Sequence, residues 1–195
     1  MLASCSEDVS SRTYFSVYSQ ALPYTGGTVE ATVYSNGDWA ISDISDDMEV
    51  SPESGYGDTK LTITVPANDL LSTKSFHCTI KTTIGSSTYS GKTSVTVEAK
   101  PFVICQEDSM SVSSDGGKVW FSVNSNHPWS VAGITSSTGD IQGVEVNPSQ
   151  WERNLTRVEV IVPANTSGAA RTVFVKLALD DYPESIAVLT VCQPA

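Results

Sequence analysis

The sequence predicts an all-β protein built of two tandem β-sandwich domains, and three observations carry that expectation. The first is an internal repeat: GGTVEATVYSNGDW (residues 26–39) matches GGKVWFSVNSNHPW (residues 116–129) at an offset of 90, and LTITVPAN (residues 61–68) matches VEVIVPAN (residues 158–165) at an offset of 97. Two blocks this similar mean a duplicated module, with seven residues gained or lost between them. The second is the alternation of apolar residues over short runs, the period of a half-buried strand, with no amphipathic helix of useful length. The third is length, since 195 residues are long for one sandwich and suit two of roughly 90 to 100 residues each.

Each element follows from local chemistry. Gly26-Gly27 and Gly116-Gly117 permit a tight turn, after which Val29, Ala31, Val33 and Val119, Phe121, Val123 fall on one face, the core face. Asn36-Gly37 and His127-Pro128 break that strand, and Trp39 or Trp129 follows as a large plug for the interior. Pro66 and Pro163 end the next strand because they cannot donate to its ladder. Further strands read at residues 76–82 and 173–179. The first leads through a turn at residues 85–91 into 94–98, and the second turns through Asp180-Asp181-Tyr182-Pro183 into 186–193. The chain thus divides into a polar tail (residues 1–10), a first sandwich (11–100) and a second (101–195), with the junction near Lys100-Pro101.

Charge and motifs narrow the function. Formal net charge is -11, with 12 acids against 6 bases in residues 1–100 and 10 against 5 in residues 101–195. Neither half offers a basic face, which argues against nucleic acid and anionic membrane surfaces as partners. No apolar run approaches the roughly 20 residues that span a bilayer. The two histidines, His77 and His127, have no evident partner. With no nucleophile elbow, no metal-type His/Cys spacing and no phosphate-cradling glycine loop, no catalytic residue, metal or cofactor is expected. Asp43, Asp46, Asp47 and Glu49 match no calcium loop and read as a solvated charged loop. Cys78, Cys105 and Cys192 stand in strand-like segments and read as buried free thiols, because an odd number leaves no complete disulfide framework. A Cys105–Cys192 bridge is expected to require a link between the two domains.

The order of Gly-Gly, alternating strand, Ser-Asn-x-x-Trp, Ser-Pro or Asn-Pro, Val-Pro-Ala-Asn and a closing Val-x-Gln strand resembles the BACON domain, the Bacteroidetes-associated carbohydrate-binding, often N-terminal module. The resemblance covers nearly the whole chain, twice. The second copy closes on Val191-Cys192-Gln193, and the first on either Val97-Glu98 or Ile104-Cys105-Gln106. It implies an immunoglobulin-like sandwich on a cell-surface protein of gut Bacteroidetes, with a glycan or mucin ligand or, alternatively, a part as a spacer or adhesion module beside neighbouring surface proteins. These positions are mostly core and turn, so no ligand residue is carried over. Leu2-Ala3-Ser4-Cys5 resembles a bacterial lipobox, and Ser6-Glu7-Asp8 the acidic tract of exported lipoproteins. Cys5 is then the lipidated residue of an outer-membrane, outward-facing lipoprotein whose sequence was cut just upstream of the cleavage site, and membrane contact runs only through that lipid; with Met1 as the native start, Cys5 is only a tail thiol.

Sugar recognition asks for exposed aromatic rings flanked by amide, carboxylate or hydroxyl groups. Because Val119, Phe121 and Val123 face inward, Trp120 faces outward, where the first copy has Glu30. Trp151 stands in a loop among Gln150, Glu152, Arg153 and Asn154. Tyr182 and Tyr89 lie at or near hairpin tips, and Tyr56 lies in a glycine-flanked loop. Trp120, Trp151 and Tyr182 do not repeat between the copies, which places the expected ligand site on the second domain.

Overall fold

The computed structural model describes residues 12–195, so the N-terminal tail and Cys5 lie outside the described residues. The chain divides into two compact units, the first ending at Lys100 and the second beginning at Pro101.

In the first unit, Thr13–Phe15 (β1), Gly27–Ser35 (β3), Glu49–Ser51 (β5) and Thr59–Val65 (β7) form a sheet in the order β1-β3-β7-β5. Ser19–Leu22 (β2), Asp38–Ser42 (β4), Ser54–Tyr56 (β6), Lys74–Ile84 (β8) and Ser87–Val97 (β9) form the other, ordered β2-β9-β8-β4-β6. The second unit repeats the plan. Val103–Cys105 (β10), Gly117–Ser125 (β12), Glu145–Asn147 (β14) and Thr156–Val162 (β16) form the order β10-β12-β16-β14. Met110–Ser111 (β11), Trp129–Ser136 (β13), Gln150–Trp151 (β15), Arg171–Leu179 (β17) and Ile186–Gln193 (β18) form the order β11-β18-β17-β13-β15. In each copy the opening segment splits between the sheets: β1 and β10 pair antiparallel on one, while β2 and β11 add in parallel to the other.

The core faces are those the alternation marks. Val29, Ala31, Val33, Trp39, Ile63, Phe76, Cys78 and Ile80 meet Phe15, Val95 and Val97 in the first core. Val119, Phe121, Val123, Trp129, Val160, Val175 and Leu177 meet Leu189 and Val191 in the second. Cys78 fills space there, and burial pushes its thiol up to about 11.

The two repeated sequence blocks touch. Gly26 has φ 70° and a Cβ on it would lie 2.4 Å from the Pro66 carbonyl oxygen; Gly116 has φ 91° and its Cβ would lie 2.5 Å from the Val162 oxygen. The asparagine of Val-Pro-Ala-Asn completes the junction. Asn68 donates its amide N–H to Tyr24 O and its side-chain Nδ2 to Ser72 O and Glu98 O. Asn165 likewise donates through N to Ser114 O and through Nδ2 to Ala169 O and Pro194 O. One residue, through its backbone N–H and its side chain, thus clips the glycine turn, the following loop and the end of the last strand of its module.

The pairing decides between the two endings left open for the first copy and corrects other expectations. Residues 102–106 open the second module, beyond the Lys100-Pro101 junction: Val103 pairs with Ser125 as Thr13 pairs with Ser35. The first copy ends at Val97, which takes the place of Gln193 in the second. Cys105 and Cys192 consequently share the second unit, and both are free thiols, with Cys192 exposed rather than buried. Strands β8 and β9 run on to Ile84 and Ser87, so Gly91 sits inside a strand opposite Ile80 and not in the turn. Glu107 anchors the new start, accepting hydrogen bonds from Ser122 N at 2.6 Å and Ser122 Oγ at 2.8 Å. Those donors hold its carboxyl below the usual glutamate range.

Pairing also locates the seven extra residues. Equivalent positions are offset by 90 at Trp39/Trp129, by 96 at Glu49/Glu145 and Gly55/Trp151, by 97 from Thr59/Thr156 to Thr82/Leu179, and by 96 again in the last strand. Six lie before β14, partly in a β13 that has 8 residues against 5 in β4. The seventh lies between β15 and β16.

Replacing Gly116 by Ala forces a left-handed residue with a Cβ into backbone. The expected cost is roughly 2–4 kcal/mol, read as a lower urea midpoint; an unchanged midpoint would contradict the packed junction.

Candidate functional site

Three elements of the second sandwich converge on Trp129. It opens β13, is fully buried, and pairs with Leu179 of β17 on one side and with Trp151 of β15 on the other. Asp180, next after Leu179, donates its N–H to Pro128 O at 2.9 Å, and its carboxylate accepts a hydrogen bond from Ser130 Oγ at 2.8 Å. Pro128, Trp129, Gln150, Trp151, Glu152 and Asp180 enclose a cleft of about 270 Å³. Trp151, 46% exposed, borders it together with Gln150, Glu152 and Asp180. That is just under the roughly 300 Å³ at which ligand pockets begin, a size for one ring rather than a buried chain. An aromatic face with polar groups around it suits a ligand that has an apolar face and a rim of hydroxyls.

The first sandwich shows what changed. Its counterpart of Trp151 is Gly55, and the Trp39 indole lies over that glycine so closely that a Cβ there would come within 2.6 Å of it. Held so, Trp39 Nε1 donates to Gly57 O at 3.1 Å. In the second copy the same place holds Trp151, and Trp129 Nε1 is buried with no hydrogen-bond partner. A neighbouring exchange has the same effect: Ser35 Oγ meets Thr82 Oγ1 at 3.0 Å, whereas Leu179 replaces that threonine and Ser125 Oγ is left without a partner. Each such buried group costs on the order of 1–3 kcal/mol. The cleft is therefore built where the second module gives up polar pairing that the first keeps.

The other aromatic candidates fall elsewhere. Trp151 belongs to the short strand β15 and not to a loop. Trp120, 44% exposed, projects from the outer face of the opposite sheet, where the Arg157 guanidinium stands 6.0 Å from its ring centre and Lys118 pairs with Glu159. Tyr182 shares the end of the sandwich with Trp151, but it is half-buried against the core, its ring meeting His127 edge-on at 4.8 Å, and it does not line the cleft. Tyr89 lies within β9 opposite Thr82, and Tyr56 is exposed in β6 opposite Asp38. The polar lining residues Gln150 and Glu152 are sequence neighbours of Trp151. Asp180 comes from the β17–β18 turn, and only the pairing of Leu179 with Trp129 brings it near.

His77, in contrast to the sequence expectation, has a partner: Nδ1 lies 3.1 Å from Ser45 Oγ, which also accepts the His77 N–H at 2.8 Å. Ser45 N donates back to His77 O, so the pair ties a loop to β8 in the manner of a ladder. Asp43 and Asp47 of that loop face Lys81 and Lys74, each at 3.8 Å. Among the described residues no group of three His, Cys, Asp or Glu is arranged to hold a metal ion.

No protein-family model matches the chain, and no curated protein matches it. Solved structures do. The extracellular cadherin domains 1–4 of Protocadherin Gamma B7 superpose with a TM-score of 0.57 at 11% identity, over 94% of this chain and 50% of that one. The extracellular cadherin domains 1–5 of Protocadherin Gamma B2 give 0.50 at 12% identity, over 95% and 40%. The chain is two tandem immunoglobulin-like sandwiches. It spans half or less of either protocadherin structure, and at these identities the likeness establishes the fold alone. A Bacteroides ovatus GH5 xyloglucanase in complex with a XXXG heptasaccharide gives a TM-score of 0.36 at 20% identity, over 42% of this chain and 17% of that one, too loose a match to argue from.

Of the four tryptophans, Trp39 and Trp129 are buried and Trp120 and Trp151 exposed. N-bromosuccinimide is expected to oxidise two indoles in the native protein, and one in Trp151→Phe; oxidation of all four without unfolding would contradict the core assignment.

Proposed function

We propose that this protein is a non-catalytic carbohydrate-binding protein of the cell surface, made of two BACON-like modules, with its sugar site on the second. The observation that carries the reading is an exposed tryptophan, Trp151, bordering a cleft with Gln150, Glu152 and Asp180. A pyranose presents an apolar face for the ring and hydroxyls for those three side chains. The sequence resemblance to BACON modules supports the same ligand class, and the lipobox-like Leu2-Ala3-Ser4-Cys5 supports anchoring of both modules to an outer membrane through Cys5. Trp120, on the opposite sheet with the Arg157 guanidinium 6.0 Å from its ring centre, is outside the site. The immunoglobulin-like fold equally suits a spacer or adhesion module, which would hold neighbouring surface proteins away from the membrane and bind no sugar.

Affinity electrophoresis over plant and mucin polysaccharides separates the two. Retention on at least one glycan is expected, abolished in Trp151→Ala and kept in Trp120→Ala, because losing a stacked ring of about 1.5 kcal/mol weakens binding roughly tenfold. No retention on any glycan would favour the spacer. For the anchor, mass spectrometry of the protein from its native membrane is expected to find acyl chains on Cys5; an unmodified Cys5 would remove that part of the reading.

A further inference from the structure

The two modules share a strand plan but not an outer face. Residues paired across two strands project to the same side of the sheet, so Phe174, Lys176 and Ala178 of β17 share the solvent side with Thr190, Val188 and Ile186 of β18. In the first module the same pairs are His77 with Ser94, Thr79 with Lys92 and Lys81 with Ser90, every one polar. There Lys81 faces Asp43, and His77 Nδ1 lies against Ser45 Oγ. The second module puts Phe174, Ala178, Val188 and Ile186 where the first has His77, Lys81, Lys92 and Ser90. It leaves Phe174, Val188 and Ile186 37%, 43% and 47% exposed. Apart from the buried Arg171, Lys176 is the only charged residue of β13, β17 and β18. The fold does not require this apolar band, because the sister module is built without it.

The band begins at the cleft. Ser130 pairs with Ala178 on one side and Gln150 on the other, which puts all three on the same face, and Ser130 Oγ bonds the Asp180 carboxylate at the end of β17. Trp151, paired with the inward Trp129, borders the cleft from the other face of β15. From Asp180 the band follows β17 past Ala178 and Lys176 to Phe174, about 20 Å at the rise of a strand. Phe174 stands between Thr190 and Thr135, its partners on the two neighbouring strands. Gly133, beside Lys176, has open space where a side chain would stand, which keeps the floor low.

Resting on the reading of the cleft as a sugar site, we infer that the ligand is a linear glycan, held at the cleft and laid along β17 to a second stacking position at Phe174. Size decides against a protein partner. A band about 20 Å long and two strand spacings, about 10 Å, wide is far short of the roughly 800 Å² a side that a stable protein interface covers. An extended peptide has nothing to pair with, because β17 already has β13 and β18 on its two edges. A glycan chain is narrow enough. It turns apolar ring faces to Phe174 and Val188 and hydroxyls to Thr135, Thr190 and Gln150.

The full chain is tested by calorimetry against cello-, xylo-, manno- and chito-oligosaccharides, each series running from monosaccharide to hexasaccharide. Binding lost in Trp151→Ala is the part that belongs to the cleft. The expected result is Trp151-dependent binding to at least one series, with affinity rising roughly tenfold or more from monosaccharide to hexasaccharide. Phe174→His/Val188→Lys gives the band the residues that the first module carries at the same positions, so an unchanged urea midpoint is expected. This double variant is expected to bring the hexasaccharide within about threefold of the monosaccharide, whose own affinity stays where it was. Phe174→Ala alone, which adds no charge, is expected to weaken the hexasaccharide roughly fivefold and the monosaccharide not at all. Affinity that does not grow with length, or growth that survives both variants, overturns the track and leaves the sugar site standing. Hexasaccharide binding that persists in Trp151→Ala overturns the continuity of band and cleft. Absence of Trp151-dependent binding to every series overturns the site and the track together.

Discussion

Both modules turn on one close approach: a glycine with positive φ packed against the carbonyl end of the strand that stops at Val-Pro. Gly26 against Pro66 and Gly116 against Val162 leave no room for a Cβ, and the asparagine two residues beyond each proline bonds the turn, the next loop and the final strand into the same corner. The two sheets of a sandwich must be joined where their strands cross over, and this corner does it with backbone. It explains why the blocks around Gly-Gly and Val-Pro-Ala-Asn stay similar between copies while intervening segments differ in length. Their residues are constrained by one another across space, whereas the β4–β5 and β13–β14 connections differ in length between the copies.

Much of the fold was legible because period-2 alternation needs no tertiary knowledge. Val119, Phe121 and Val123 face inward and Trp120 outward by register alone, and Pro66 and Pro163 end strands by lacking an N–H. The asparagine clip was not legible, since an Asn after a strand reads as turn chemistry until its acceptors, far along the chain, are known. Residues 102–106 stayed ambiguous for a related reason. A short apolar strand closing one module and one opening the next have the same composition, and only the pairing of Val103 with Ser125 decides between them.

The site was half visible. An exposed aromatic among amides and acids marked Trp151, yet Trp120 looked as good, because sequence does not reveal that Arg157 lies over one ring while the other borders a cleft. Asp180 was beyond reach for a different reason: its sequence neighbours place it only in a hairpin turn, and it arrives at the cleft only because β17 ends beside β13. The orphaned Trp129 Nε1 is a further signal available only by comparing the two copies in space. Local polar pairing is commonly sacrificed where a surface takes on a binding task, and here the unaltered sister domain provides the reference.

Gly55 carries a consequence for the history of the pair. Duplicating a binding module ordinarily offers a second foothold on a repetitive polymer, and linked sites gain avidity far beyond either alone. In the first module that path is blocked by its own core, because any side chain at position 55 would have to evict the Trp39 indole and break its bond to Gly57. Bivalency would need the interior tryptophan, the extra residue after the edge strand and the aromatic to change together. A protein in this position evolves by refining one foothold, while its twin remains committed to holding shape.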